Sequence, residues 1–205
     1  KLIHHEKNIG TVKNLNNCIK NSSGDYFIGL ASDDMFYDNF VISKMVDFFE
    51  KTKALIVTSK RYVYDNEMQN KIEILPKQSD IEYLLNKKDF LFERLCFSNY
   101  ISGACTFYSK KLFDKYGMFD ERYNLLEDYP YYLKLVREGE KIFFYNRITI
   151  KYRLGGVSTS GKLNTKLSND NLKTIKNEIL PFNKKINKSL YKWKAFGYYY
   201  EINNR

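Results

Sequence analysis

Gly24-Asp25-Tyr26-Phe27-Ile28-Gly29-Leu30-Ala31-Ser32-Asp33-Asp34 joins a short apolar run to two adjacent carboxylates. Its apolar middle has the length of a buried strand, and it runs straight into paired carboxylates. A strand that ends in acidic residues puts oxygen ligands at the carboxyl end of a sheet, where open α/β folds bind their ligands. Hard cations such as Mg2+ or Mn2+ take oxygen ligands and commonly hold substrate phosphates, which makes Asp33 and Asp34 candidate metal ligands. Read alone, the same pair also fits an ordinary strand-to-loop ending, because Asp favours turns.

Working outward, Asn8-Ile9-Gly10 and Lys13-Asn14 open a segment with Val12, Leu15, Cys18 and Ile19 at helical spacing, closed by Ser22-Ser23-Gly24. A helix therefore feeds the strand. After the acidic pair, Phe40, Ile42, Met45, Val46 and Phe49 predict a second amphipathic helix, followed by the apolar strand Ala54-Leu55-Ile56-Val57. This alternation is that of an α/β protein. Residues 60–78 read as an irregular strand or hairpin with a turn at Asp65-Asn66 and a break at Pro76. Residues 79–98 read as one helix with Ser79 as N-cap, and strands are expected over 104–108 and 141–145.

A second acidic pair, Glu127-Asp128, precedes Pro130 and the apolar residues Tyr132, Leu133, Leu135 and Val136, with Gly139 ending the pattern. Proline is well tolerated in a first helical turn. Both carboxylates are thus expected at a helix N-terminus, where the macrodipole favours their ionised forms. Charge complementarity at a helix start explains such a pair without any catalysis.

Taken in order, these motifs resemble the family 2 glycosyltransferases. The family's Asn-x-Gly, its Arg-Asn-type helix start, its Gly-Asp/Glu-Tyr strand and its acidic loop are matched by Asn8-Ile9-Gly10, Lys13-Asn14, Gly24-Asp25-Tyr26 and Ser32-Asp33-Asp34. Gly103-Ala104 leads through Ser109–Phe113 to Gly117-Met118-Phe119-Asp120-Glu121, similar to the family's acceptor-side segment. Glu127-Asp128-Tyr129 matches its Glu-Asp-aromatic motif, and Tyr152-Arg153-Leu154-Gly155-Gly156-Val157-Ser158 resembles its closing loop. The resemblance spans about residues 3–160.

What the resemblance implies is a GT-A fold, a Rossmann-like mixed sheet flanked by helices. It also implies metal-dependent transfer of a sugar, with inversion, from a nucleotide-diphosphate donor, foremost a UDP-sugar. The acceptor would be a saccharide or lipid-linked molecule, as in bacterial surface polysaccharide synthesis. By the same resemblance Asp128 is the general base and Glu127 orients the acceptor or a loop. Asn14, Asp33, Gly103, Ala104, Arg153 and Ser158 contact donor or acceptor, and Asp33 and Asp34 hold Mn2+ or Mg2+. No Gln-x-x-Arg-Trp motif follows Asp128, so transfer of a single sugar is expected rather than processive synthesis.

Two departures qualify this. Ala31 stands where the family often has an acidic residue, which removes one candidate ligand. The family also begins with two strand-helix units and an Asp-Asp-Gly-Ser-like turn, whereas Lys1-Leu2-Ile3-His4-His5 reads as a third strand. At ~30 residues per unit, about 60 residues are expected upstream. Without them a sheet edge would stand open, which invites pairing with a second copy. His4 and His5 are no metal pair, because neighbours on a strand point to opposite faces.

Composition bounds the remaining possibilities. The chain has 205 residues, 43% of them hydrophobic, enough for one substantial core. No run approaches the ~20 apolar residues of a membrane span. Cys18, Cys96 and Cys105 lack metal spacing and fit reduced thiols, consistent with a cytoplasmic protein. Residues 1–160 are read as the partial catalytic domain and residues 161–205 as a basic helical extension. That extension carries ten Lys or Arg against three acids, out of a net charge of +10 for the whole chain. Its lysines are interleaved with Trp193, Phe196 and Tyr198–Tyr200, a composition suited to an anionic membrane surface at the inner face of the cell membrane. The same residues equally suit a helix that packs its aromatic face on the domain. Nucleic acid is the alternative partner for a basic aromatic segment, in a binding module without catalysis. Against it stand the absence of any recognisable nucleic-acid motif and two acidic pairs that repel phosphate.

Overall fold

The sheet is organised around β3 (Ile56–Tyr64), whose β-branched and aromatic residues suit a strand with neighbours on both sides. In this computed structural model, which describes residues 2–156 and 164–203, β3 runs parallel to β6 (Phe143–Arg153). It runs antiparallel to β5 (Thr106–Ser109) through its first half and to β4 (Lys71–Leu75) through its second. The short strands β1 (Tyr26–Phe27) and β2 (Met35–Phe36) pair with β5 and β6, completing the order β1-β5-β3-β6-β2. Buried hydroxyls lock the centre: Ser59 Oγ lies 2.6 Å from Thr149 Oγ1 and donates to the Cys105 carbonyl at 3.0 Å. Buried polar groups tolerate this position because they are paired.

Helices cover both faces. On one, α2 (Val41–Thr52) buries Val41, Met45 and Phe49, spaced four apart, against Ala54, Val57 and Phe107. On the other, α1 (Thr11–Lys20), α3 (Gln78–Leu85), α4 (Leu91–Phe97), α5 (Lys110–Tyr116) and α6 (Asp128–Arg137) share the main core. Asn16 of α1 is buried and bonds both the carbonyl and the N–H of Phe119, fixing α1 to the loop before α6. The mixed α/β architecture expected from the sequence is thus present.

Three local expectations are corrected. The run after Tyr26 gives a strand of only two residues, paired with Ser109 and Tyr108; Phe107 and Thr106 of β5 go on pairing with β3, while residues 28–34 leave the sheet. Residues 2–5 form no strand, having no ladder partner among the described residues. The helix expected over 79–98 is two helices, α3 and α4, broken where Asn86-Lys87-Lys88-Asp89 offers no apolar side chain to either. Its start is Gln78, with Lys77 as N-cap, so Ser79 does not cap it.

After residue 163 the chain forms α7 (Thr165–Thr174), two irregular helical turns, and α8 (Lys188–Asn203). Ile179, Ile186 and Leu190 of this segment join the same core cluster as α1, α4 and α6. Fully buried Asp170 of α7 accepts the N–H groups of Asn124, Leu125 and Leu126 at 2.7, 2.8 and 3.3 Å. The loop leading into α6 is therefore held by the C-terminal segment. Among the described residues no helix is long and apolar enough to cross a membrane.

Candidate active site

Seven of the residues picked out from the sequence, Asn14, Asp33, Asp34, Gly103, Ala104, Glu127 and Asp128, line one cleft of about 1260 Å³. A large cleft with converging polar groups is the default place for a ligand. The loop after β1 brings Asp33 and Asp34, the turn before β5 brings Gly103 and Ala104, and the start of α6 brings the second acidic pair.

Gly103 sets the geometry of that second pair. Its N–H donates to Asp128 Oδ2 at 3.0 Å. A Cβ at position 103 would lie 3.1 Å from that oxygen and 3.4 Å from Glu127 Oε1. Only a residue without a side chain lets the turn approach so closely. Asp128 Oδ1 accepts the N–H of Tyr129 at 2.6 Å, and the Asn99 side chain bonds the same carboxylate.

The sequence leads one to expect both carboxylates to be favoured as anions by the helix start, but burial outweighs the dipole and raises both. The two are not alike. Glu127 is pushed up to about 8 by burial and by the charge of Asp128, opposed only by its own backbone N–H. Asp128 is raised by burial but opposed by the N–H groups of Tyr129 and Gly103, by Asn99 and by the Arg61 guanidinium. Donors that converge on one member of a coupled pair localise the charge there. The donors around Asp128 favour the anion there, whereas Glu127 has only its own backbone N–H to do so.

At the other acidic site, Asp34 is buried and its Oδ1 accepts the N–H of Arg153 at 3.0 Å. Burial raises its carboxyl above the ordinary range, against that hydrogen bond. Asp33 is half-buried, and a Cβ on Gly156 would stand 3.1 Å from its Oδ2. Among the described residues no third His, Cys, Asp or Glu side chain gathers with this pair. Two carboxylates at a cleft wall nevertheless fit Mg2+ or Mn2+, which usually take one or two protein carboxylates and complete their shell with substrate phosphate and water.

Arg153 is not brought to the cleft wall. Its neighbour Tyr152 lines the cleft instead, and Arg153 acts on Asp34 through its N–H and through the charge of its guanidinium. Ser158 lies outside the described residues. Arg61 and Asn99 line the cleft and were not picked out from the sequence, and Tyr152, quoted only as the start of the closing loop, lines it too. The one signal available was a Lys60-Arg61 pair inside an otherwise buried central strand.

The expectation for the C-terminal aromatics is resolved residue by residue. Leu190 and Tyr198 are buried and Trp193 stacks on Phe97 with centroids 5.3 Å apart, while Phe196, Tyr199 and Tyr200 stand exposed. The three cysteines are free, Cys96 and Cys105 buried and Cys18 partly so.

Comparison with known proteins agrees with this architecture. The model of glycosyl transferase family 2 matches residues 1–117. An uncharacterized glycosyltransferase of Rickettsia typhi is 30% identical over 158 residues, 76% of this chain and 48% of that protein. One from Rickettsia felis is 29% identical over 161 residues, 78% of this chain and 26% of that protein. The chain thus spans about half or less of the length of these curated relatives. Among solved structures, S. aureus TarS 1-349 in complex with UDP-GlcNAc superposes with a TM-score of 0.61 at 17% identity, covering 90% of this chain and 52% of that one. That likeness carries the GT-A fold. Motif order, sheet topology and family match converge, and the chain belongs to glycosyl transferase family 2.

Proposed function

We propose that this chain carries the catalytic base and the phosphate-side acidic loop of an inverting glycosyltransferase that uses a nucleoside diphosphate sugar. The observation that carries the reading is the Gly103 N–H on Asp128 Oδ2, which fixes that carboxyl group in the same cleft as Asp33 and Asp34. Asp128 takes the proton of an acceptor hydroxyl as that oxygen attacks the anomeric carbon. The bond from the anomeric carbon to the donor phosphate breaks, and the nucleoside diphosphate leaves with the electron pair. One displacement inverts the centre, and no protein nucleophile is needed. Glu127, protonated, offers a hydrogen bond to the acceptor and keeps a second negative charge out of the site.

Asp33 and Asp34 would hold a Mn2+ or Mg2+, which would supply charge neutralisation for the leaving diphosphate. The TarS complex with UDP-GlcNAc supports a UDP-sugar as donor, and the acceptor side suits a saccharide or lipid-linked acceptor. Three exposed aromatics on α8 amid lysines support attachment to an anionic membrane surface.

The test is turnover of a panel of nucleoside diphosphate sugars by the full-length protein and by its Asp128→Asn variant. Expected is transfer by the parent and a fall in kcat of at least about 10²-fold in the variant, with donor affinity retained. Absence of turnover with every donor, or a variant as active as its parent, overturns the reading.

A further inference from the structure

Arg61 of β3 stands between the two acidic sites, and the mechanism above leaves it without a task. Its guanidinium carbon lies 4.3 Å from the centroid of the Tyr152 ring, and Nη1 donates to Ser102 Oγ. The residue after Ser102 is Gly103, whose N–H holds Asp128. The residue after Tyr152 is Arg153, whose N–H holds Asp34. One planar group is thereby fastened to both backbone segments that hold a carboxylate. Among the described residues no carboxylate lies within 4.0 Å of it, and its Nε is buried without a hydrogen-bond partner. Leaving a buried donor unpaired is costly, and a local packing role would be served as well by an apolar side chain.

We propose that Arg61 is a positioning residue for transfer: its guanidinium ties the Ser102-Gly103 turn to the Tyr152-Arg153 strand end, fixes the two carboxylate sites relative to each other, and supplies the positive charge that suits Asp128 to act as base. This inference rests on the glycosyl-transfer reading. The groups that act on Asp128 are Glu127 beside it, the phenols of Tyr108, Tyr129 and Tyr132, and Arg61, the cation of the set. Removing that cation makes Asp128 harder to ionise, so more of the base is protonated at any acidic pH. Lysine keeps the charge but cannot stack a plane on Tyr152 while donating to Ser102.

The experiment compares Arg61→Met, Arg61→Lys and Ser102→Ala in the full-length protein, reading kcat and donor KM across pH. In Arg61→Met, kcat is expected to fall by about 10²-fold, the scale of a misplaced catalytic group. Its acidic limb should move upward by about one pH unit, the effect of one nearby charge, with donor KM little changed. Arg61→Lys should restore the limb but only part of the rate, and Ser102→Ala should lower kcat with the limb unmoved. An unmoved limb in Arg61→Met overturns the proposal, and so does a loss confined to donor KM, which would make Arg61 a donor ligand. If Arg61→Met does not fold, a lysine variant with full kcat, or with a shifted limb, overturns it equally. A parent protein that turns over no sugar donor instead sinks the function itself, a result separate from these.

Discussion

The amide of Gly103 and the carboxylate of Asp128 meet at 3.0 Å, and a methyl group on Gly103 would sit 3.1 Å from the accepting oxygen. Two residues far apart in sequence thus define where the base stands. Gly103→Ala should push Asp128 and Glu127 outward together. Expected is a loss of kcat of about 10²-fold, with nucleotide binding measured by calorimetry nearly intact. Parent-like kcat in a folded Gly103→Ala protein would show that this contact does not set the base.

The two members of the first acidic pair should behave differently. Asp34 is buried and holds the end of β6 through the Arg153 N–H, whereas Asp33 is half-buried at the cleft. Asp34→Ala should abolish transfer and also lower the melting temperature, because it leaves the partly buried Arg153 N–H without its acceptor. Asp33→Ala should impair transfer severely, raise the Mn2+ concentration needed for half-maximal rate, and leave melting unchanged. Full activity of the parent in excess chelator would rule out the metal role for both.

Glu127 ties stability to pH. Burial and Asp128 raise it from 4.5 to about 8 in the folded protein. The folded state therefore binds this proton more tightly than the unfolded one. The stabilisation is present in full below the unfolded value and is lost as pH rises through the folded value. Glu127→Gln cannot lose a proton, so its melting temperature relative to the parent should climb with pH up to about 8 and level off beyond. A constant difference across pH would place the retained proton elsewhere.

Phe196, Tyr199 and Tyr200 are 70%, 60% and 59% exposed on α8 and touch little of the core. Their joint replacement by Ser should leave the melting temperature nearly unchanged and weaken sedimentation with anionic vesicles. Added salt should weaken binding of the parent, since surface attraction is screened over about 10 Å at 0.1 M. Vesicle binding untouched by the triple replacement would assign these rings to another partner.

Local pattern carried much of the fold and the site. The spacing of Val12 and Ile19, of Val41, Met45 and Phe49, and of the residues after Pro130 marks helices because a helix repeats its face every three to four residues. The two acidic pairs announced themselves because each ends or begins an element, and both proved to line one cleft. What local pattern could not supply was partnership across the chain. β1 pairs with β5 over two residues only, and the helix over 79–98 is divided into two helices that bury their apolar residues in one core. Tyr152 takes the place on the cleft wall, and Arg153 acts on Asp34 through its N–H and its charge. Asp170 looks like any helical surface residue until it is found buried under three amides of the loop before α6. The unequal chemistry of Glu127 and Asp128 is likewise tertiary, since a carboxyl's proton affinity follows from the amides, side chains and solvent around it. Local pattern is enough to say which residues carry charge and which elements they punctuate; which donors reach each carboxylate, and hence which one suits the role of base, follows from the tertiary fold.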